Sequence, residues 1–382
     1  MPGTIPQLAF FETVCVDPYA TARKAAEEGS KVAAYMCTYT PEELFHAAGY
    51  FPMRLFGRNS GATNQADAHL PAYACGFLRS ALDMALAGEL GFVDLMVFGH
   101  TCDSMQNLAD IWKHAVPNMK QLVITTPVVV GTEASIAYFR EELARARARL
   151  DEIAGPVSDD AIVSSIVLYD GHRALMQRLY ALRAARPGCL SGREMMAIVL
   201  ASMLMPREEH ALHLEALLGA LDQDADRVVA AGKPKVIVIG NVVQNLDYAA
   251  VIEAAGCVVL DEDLCSGRRA FAMAPAESED PLEQLARMYL TPAACPSKHQ
   301  PGFDIGGALL ERAQSSGAEG VVILLTKFCE PWCFDYPYLK EVFDKAGIPS
   351  LLIEIESNQP PSEQFRNRIH AFAEMLGAAH GG

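Results

Sequence analysis

The chain has 382 residues, of which 51% are hydrophobic and 20% charged, with a formal net charge of −16. That is globular composition at a length one hydrophobic core rarely serves, so two or three domains are expected. The acidic balance argues against a nucleic-acid or anionic-membrane surface, and no apolar run reaches the roughly 18 residues of a membrane-spanning helix.

The opening, "MPGTIPQLAFFETVCV", carries no basic segment or cleavage pattern, so a cytoplasmic location is expected. Next, "TYTPEELFHAAG" predicts a helix with Thr40 as cap, Pro41 in the first turn and Gly49 at the exit. "FVDLMVFGH" (92–100) and "QLVITTPVVV" (121–130) predict buried strands. "AYFREELARARARLDEIAG" predicts an exposed helix with Glu141 and Arg145 paired at i,i+4. Together these form an N-terminal α/β unit, 1–155.

Residues 156–232 read as a helical connecting segment that opens on a capping serine, Ser158. From 233 to 382 the pattern is β-α-β-α-β-α-β with short connections. Its strands are "KVIVIG", "CVVL", "VVILL" and "SLLIEI". That order predicts a mostly parallel, doubly wound sheet, and the first unit is a rougher version of the same plan. An acidic loop, "DEDLC", is expected after the second of these strands. An aromatic, proline-rich loop, "EPWCFD", is expected after the third.

The fold class is therefore α/β, with two doubly wound, flavodoxin- or Rossmann-like sheets and helices between them. The ten cysteines are too sparse for a disulfide scaffold and, in a reducing compartment, point to metal or catalysis. Cys102, Cys265 and Cys329 stand just beyond strand carboxyl ends, where open α/β sheets place their ligands. Cys75 sits at a helix entrance, Cys37 just before one, and Cys295 in a loop, whereas Cys15, Cys189 and Cys257 read as core. Thiolates near helix N-termini suit an iron–sulfur cluster, and buried packing is the competing reading for each cysteine. Paired CxxC zinc motifs, a GxxxxGK[ST] loop, GxGxxG, GxSxG and HExxH are all absent, so no nucleotide site is expected in this chain.

The stretches "CTYTPEELFHAAGYFPMRLFG", "CGFLRSALDMALAGELGFVDLMVFGHTCDSMQNL", "DEDLCSGRRAF" and "KFCEPWCFDYPYLKEVFDKAGIP" together resemble the 2-hydroxyacyl-CoA dehydratase and benzoyl-CoA reductase family. The resemblance implies a cluster in the cleft between two α/β domains. It implies a [4Fe–4S] cluster on Cys75, Cys102 and Cys329. The related double-cubane proteins imply further ligands at Cys37, Cys265 and Cys295, for an [8Fe–9S] cluster. It also implies a ketyl-radical acyl-CoA dehydratase or reductase that is oxygen-sensitive. A separate ATP-hydrolysing iron–sulfur activator would supply its electrons. A homologous subunit, or a second copy of the chain, would complete it. The alternatives are a stand-alone double-cubane reductase of small molecules and a non-catalytic electron-transfer or helper subunit. His100, Asp103 and Glu330 flank candidate ligands and are candidates for proton handling. Glu43 and His46, on the helix after Cys37, are candidates for supporting the cluster from behind.

Overall fold

The structure is a computed structural model that describes residues 5–58, 63–228, 234–290, 295–356 and 359–378. The expected boundary at 232/233 lies outside the described residues. The chain begins with α1 (Pro6–Val16) and α2 (Ala20–Glu27). Then come β1 (Lys31–Tyr35), α3 (Glu42–Ala47), β2 (Tyr50–Arg54), α4 (Gly76–Leu86), β3 (Leu95–His100), α5 (Asp103–Ala115) and β4 (Lys120–Thr125). Four helices follow: α6 (Glu133–Ala154), α7 (Asp159–Ala185), α8 (Gly192–Leu204) and α9 (Arg207–Gln223). The remainder is β5 (Lys235–Gly240), α10 (Asp247–Ala254), β6 (Val258–Asp263), α11 (Pro281–Leu290), α12 (Ile305–Ser316), β7 (Gly320–Thr326), α13 (Glu330–Lys345), β8 (Ser350–Ile355) and α14 (Glu363–Ala378).

Two four-stranded sheets result, in the orders β2-β1-β3-β4 and β6-β5-β7-β8, and every pairing is parallel. The same winding thus occurs twice, as the α/β pattern predicts. β5 and β7 are continuous β-branched runs because both of their faces are covered. β1 ("KVAAY") is rich in alanine and β2 ("YFPMR") carries Pro52, so neither announces itself by propensity. Pro52 is tolerated because β2 is an edge strand.

Five expectations need correction. The buried strand expected over 121–130 ends at Thr125, lies at the sheet edge and is only half buried, with Val128 and Val129 exposed beyond it. Asp261, Glu262 and Asp263 are not in a loop but inside β6 and buried. Arg268 lies 2.7 Å from Asp261, Arg269 lies 2.9 Å from Asp263, and Tyr180 donates to Glu262. The aromatic, proline-rich loop is helix from Glu330 onward: Pro331 is in its first turn, where the missing N–H costs nothing, and Pro337 lies inside it. The helix over 133–154 is amphipathic rather than exposed, burying Phe139, Leu143, Ala146 and Leu150; its Arg145 pairs with Glu142, and Glu141 with Arg140. Thr40 caps nothing: α3 starts one residue later than expected, after Pro41, and the buried Thr40 hydroxyl has no partner among the described residues. Ser158 does cap α7, accepting from the Ala161 N–H.

The core of the first sheet draws on distant chain. One face packs against α1, α4, α5, α8 and α9; the other against α6, α7 and α11, which lies far downstream. Helix α3 is clamped from the helical segment. Arg207 (α9) holds Glu42 at 2.6 Å, and Arg173 (α7) holds the fully buried Glu43 at 2.6 Å.

Beside these arginines lies a buried histidine pair on α7 and α9. His210 Nε2 donates to the Ile198 carbonyl at 2.9 Å, which leaves its Nδ1 to accept from His172 Nε2, also at 2.9 Å. A second proton on His210 would set two donors against each other. Burial, and then the neighbouring arginines, hold both rings below the ordinary histidine value, His210 at about 3. Because the folded-state values are depressed, the unfolded chain binds more protons below pH 6.5. The stabilisation is therefore complete above that pH and is lost toward acid, by up to about 1.4 kcal/mol per pH unit per histidine. Ring-proton NMR should show these two histidines silent between pH 8 and 5, while urea midpoints fall over the acidic half of that range.

Candidate metal centre

A parallel sheet sends all its strands' carboxyl ends to one edge, and ligands collect where the strand order reverses. In the first sheet that point lies between β1 and β3; in the second, between β5 and β7. The residues after these strands line one cavity of about 140 Å³: Met36 to Tyr39 after β1, Thr101 and Cys102 after β3, Asn241 and Val242 after β5, Cys329 after β7. That is room for far more than a single water. Cys37, Cys75, Cys102, Cys265, Cys295 and Cys329 all border it, and no histidine, aspartate or glutamate is among its described lining residues.

Local structure explains how three of these thiols are presented. Cys75, Cys102 and Cys329 occupy the N-cap positions of α4, α5 and α13, so three helix N-termini face the cavity. Burial pushes Cys75 up, most strongly opposed by the Leu78 backbone N–H. Burial likewise pushes Cys102 up to about 11, opposed by the Met105 N–H, and Cys329 up to about 12, opposed by the Asn241 side chain and the Trp332 N–H. In each helix an amide three residues beyond the cysteine favours its thiolate. As free thiols these three are neutral at pH 7, and a metal must displace their protons.

Asn241 ties the strand ends of the second sheet together. Its side-chain oxygen accepts from the Thr326 N–H (3.1 Å) and hydroxyl (2.8 Å), and its carbonyl accepts from the Cys265 N–H (3.1 Å). Gly240 before it must lack a side chain: its φ is +158°, and a Cβ would collide with the Leu324 carbonyl. The two halves are joined at Cys265, whose carbonyl accepts from Thr38 Oγ1 at 2.9 Å and Arg54 Nη1 at 2.7 Å. Trp332 closes one wall with Arg269 over its ring, whereas Phe334 points to solvent. Of the two aromatic residues in "EPWCFD", only Trp332 lines the cavity.

The other sequence candidates lie elsewhere. His100 bonds Gln106 and does not border the cavity. Asp103 and Glu330 are exposed at the first positions of α5 and α13, where they complement the helix dipoles without capping. Glu43 stands one residue behind the cavity, accepting at 2.7 Å from the hydroxyl of Tyr289, which does line it. His46 faces away, toward Ser165 (2.6 Å) and Glu208 (3.2 Å). Cys15, Cys189 and Cys257 are core, and Cys333 is exposed on α13. Sequence reasoning missed Tyr39, Arg54, Asn241, Arg269 and Tyr289. An arginine inside the apolar run "YFPMRLF" was the available signal for Arg54, since an arginine that falls among buried residues is paired or functional.

Among the described residues, no three histidine, cysteine or carboxylate side chains stand close enough to chelate a single ion. A polynuclear cluster instead sits between its ligands and holds their sulfurs apart, and a thiol-only donor set selects soft metals and iron–sulfur clusters. The Tyr39 hydroxyl, buried against the cavity, has no hydrogen-bond partner among the described residues. Thiols, helix N-termini and this orphaned donor fit an anionic, sulfur-rich occupant.

The family model described as 2-hydroxyglutaryl-CoA dehydratase, D-component, matches residues 37–376. The chain belongs to this dehydratase family. Among its curated relatives is the (R)-phenyllactyl-CoA dehydratase beta subunit of Clostridium sporogenes, 28% identical over 96% of this chain and 97% of the relative. A benzoyl-CoA reductase subunit from Thauera aromatica is 29% identical over 92% of each chain. The lactoyl-CoA dehydratase subunit beta of Anaerotignum propionicum is 27% identical over 92% of this chain and 93% of its own. The family expected from the cysteine-bearing stretches is thus the family found. Among the described residues no helix is long and apolar enough to cross a membrane.

One turn of this dehydratase-family chain carries strain. Phe328, just before Cys329, has φ +64°, a conformation ordinarily left to glycine or asparagine, and the residue is 44% exposed. Replacing it with glycine relieves roughly 1–2 kcal/mol of backbone strain and returns about half of that as unfolded-state entropy. Phe328→Gly should therefore raise the urea midpoint of the metal-free protein modestly; a lower midpoint would mean the ring packs.

Proposed function

We propose that this chain is the iron–sulfur subunit of an acyl-CoA dehydratase or low-potential acyl-CoA reductase. The observation that carries the reading is the all-thiol cavity where the carboxyl ends of both sheets meet, in a chain of this family. The relatives' names supply the substrate class, CoA thioesters, and the word subunit supports a homologous partner chain. Cys75, Cys102 and Cys329 would hold a [4Fe–4S] cluster, which when bound supplies single electrons at low potential. The chain's own residues prepare that chemistry: the helix N-termini offset thiolate charge, Asn241 fixes the Cys265 and Cys329 strand ends, and Trp332 and Met105 exclude water. A separate ATP-hydrolysing activator would deliver the electron, since the sequence shows no phosphate-binding loop.

A second reading is favoured by one specific observation: Cys37, Cys265 and Cys295 border the same cavity as the first three. Six thiols around one space suit a double-cubane [8Fe–9S] cluster and a reductase of small molecules.

Iron and acid-labile sulfide counted on anaerobically reconstituted protein separate the two. One cubane predicts about four irons per chain, lost in Cys329→Ser and kept in Cys295→Ser. The double cubane predicts about eight, with both variants depleted. A wild-type chain that takes up no iron would end both readings.

A further inference from the structure

Arg54, the last residue of β2, is 1% exposed, so its charge is removed from water. A guanidinium cannot shed its proton to escape that cost, and buried charges are normally matched by an opposite one. Nearby buried charges are matched in this way. Glu42, which borders the same small void as Arg54, is held at both oxygens by Arg207, at 2.6 and 2.7 Å. Glu43 is held by Arg173, and Arg269 by Asp263 at 2.9 Å.

Arg54 has no carboxylate among the described residues. Its Nε donates to the Met36 carbonyl at 3.2 Å, and its Nη1 to Thr38 Oγ1 at 3.1 Å and the Cys265 carbonyl at 2.7 Å. Beyond these it meets the Phe56 ring, the Met203 sulfur at 3.6 Å from Nη1, and the Cys265 sulfur at 3.7 Å from Nη2. Neutral acceptors fix the fork's direction but leave the charge unmatched. The fork is aimed at a cysteine of the thiol cavity, which Arg54 itself also lines.

We propose that Arg54 is the fixed counter-charge of the anionic centre the cavity takes, a positioning residue that orients Cys265 and raises the reduction potential of that centre. The nature of the anion rests on the iron–sulfur reading; the need for one rests on the unmatched charge. Adding an electron makes a cluster more negative, so a guanidinium held beside it favours the reduced form.

The test compares Arg54→Met and Arg54→Lys, two straight chains that both lose the fork but differ in charge. In metal-free protein the methionine variant should melt above the lysine variant, because only lysine buries an unmatched charge. After anaerobic reconstitution that order should reverse. The EPR-monitored midpoint potential of Arg54→Met should then fall below those of Arg54→Lys and wild type. The same melting order in both forms, or equal potentials in all three proteins, would overturn the proposal and leave the cluster reading standing. If the wild type takes up no iron, the cluster reading falls and the metal-free melting order alone decides. Methionine above lysine keeps the counter-charge for another anion, and lysine above methionine removes it.

Discussion

Everything at the centre of this protein depends on the direction of its strands. A parallel sheet places every strand's carboxyl end on one edge, together with the amino ends of the helices that follow. Two such sheets turn those edges toward one cavity. The sulfur atoms therefore arrive with partial positive charge behind them, and the space between stays apolar because Met105, Phe77, Leu78 and Trp332 wall it. Neither sheet alone encloses the site.

The helical segment serves that arrangement. Arg173 and Arg207 reach across to the two glutamates of α3, the short helix that follows Cys37. Breaking a buried pair of this kind by removing one partner costs about 3–5 kcal/mol, because the other charge is left stranded. The strength of the clamp lies in that penalty more than in the pairs themselves. Tyr289 extends the link, joining Glu43 to the cavity wall. The orientation of α3, and with it the turn that carries Cys37 to Tyr39, is thereby coupled to helices that contribute no sulfur.

Much of this was legible in the residues, and the rest was hidden for definable reasons. Long β-branched strands and the positions of six cysteines at element ends could be read directly, because period and punctuation are local properties. β1 and β2 were invisible: alanine and proline carry no strand signal, and their pairing is fixed by burial between layers. The acidic stretch in β6 read as a loop because a buried carboxylate is stable only with partners, and neither the turn that folds Arg268 and Arg269 back onto it nor the approach of Arg312 from α12 is a local pattern. His100, Asp103 and Glu330 were chosen by closeness to cysteines along the chain, yet neighbours at a helix start point in different directions. Arg54, Asn241 and Tyr39 bear on the cavity only through three-dimensional contact.

The packing of α11 has a consequence for how the chain comes into being. This helix completes one face of the first sheet, against α6, yet it follows β5 and β6 in sequence. A chain emerging from the ribosome thus makes the first sheet's strands long before it makes the helix that seals them. Until residue 290 is out, Leu122, Ile136 and Phe139 lack part of their cover, and a chaperone has something to hold. Only after that do Cys295 and Cys329 follow. A centre held by thiols from both halves, as proposed above, would be loaded only after both halves have been made.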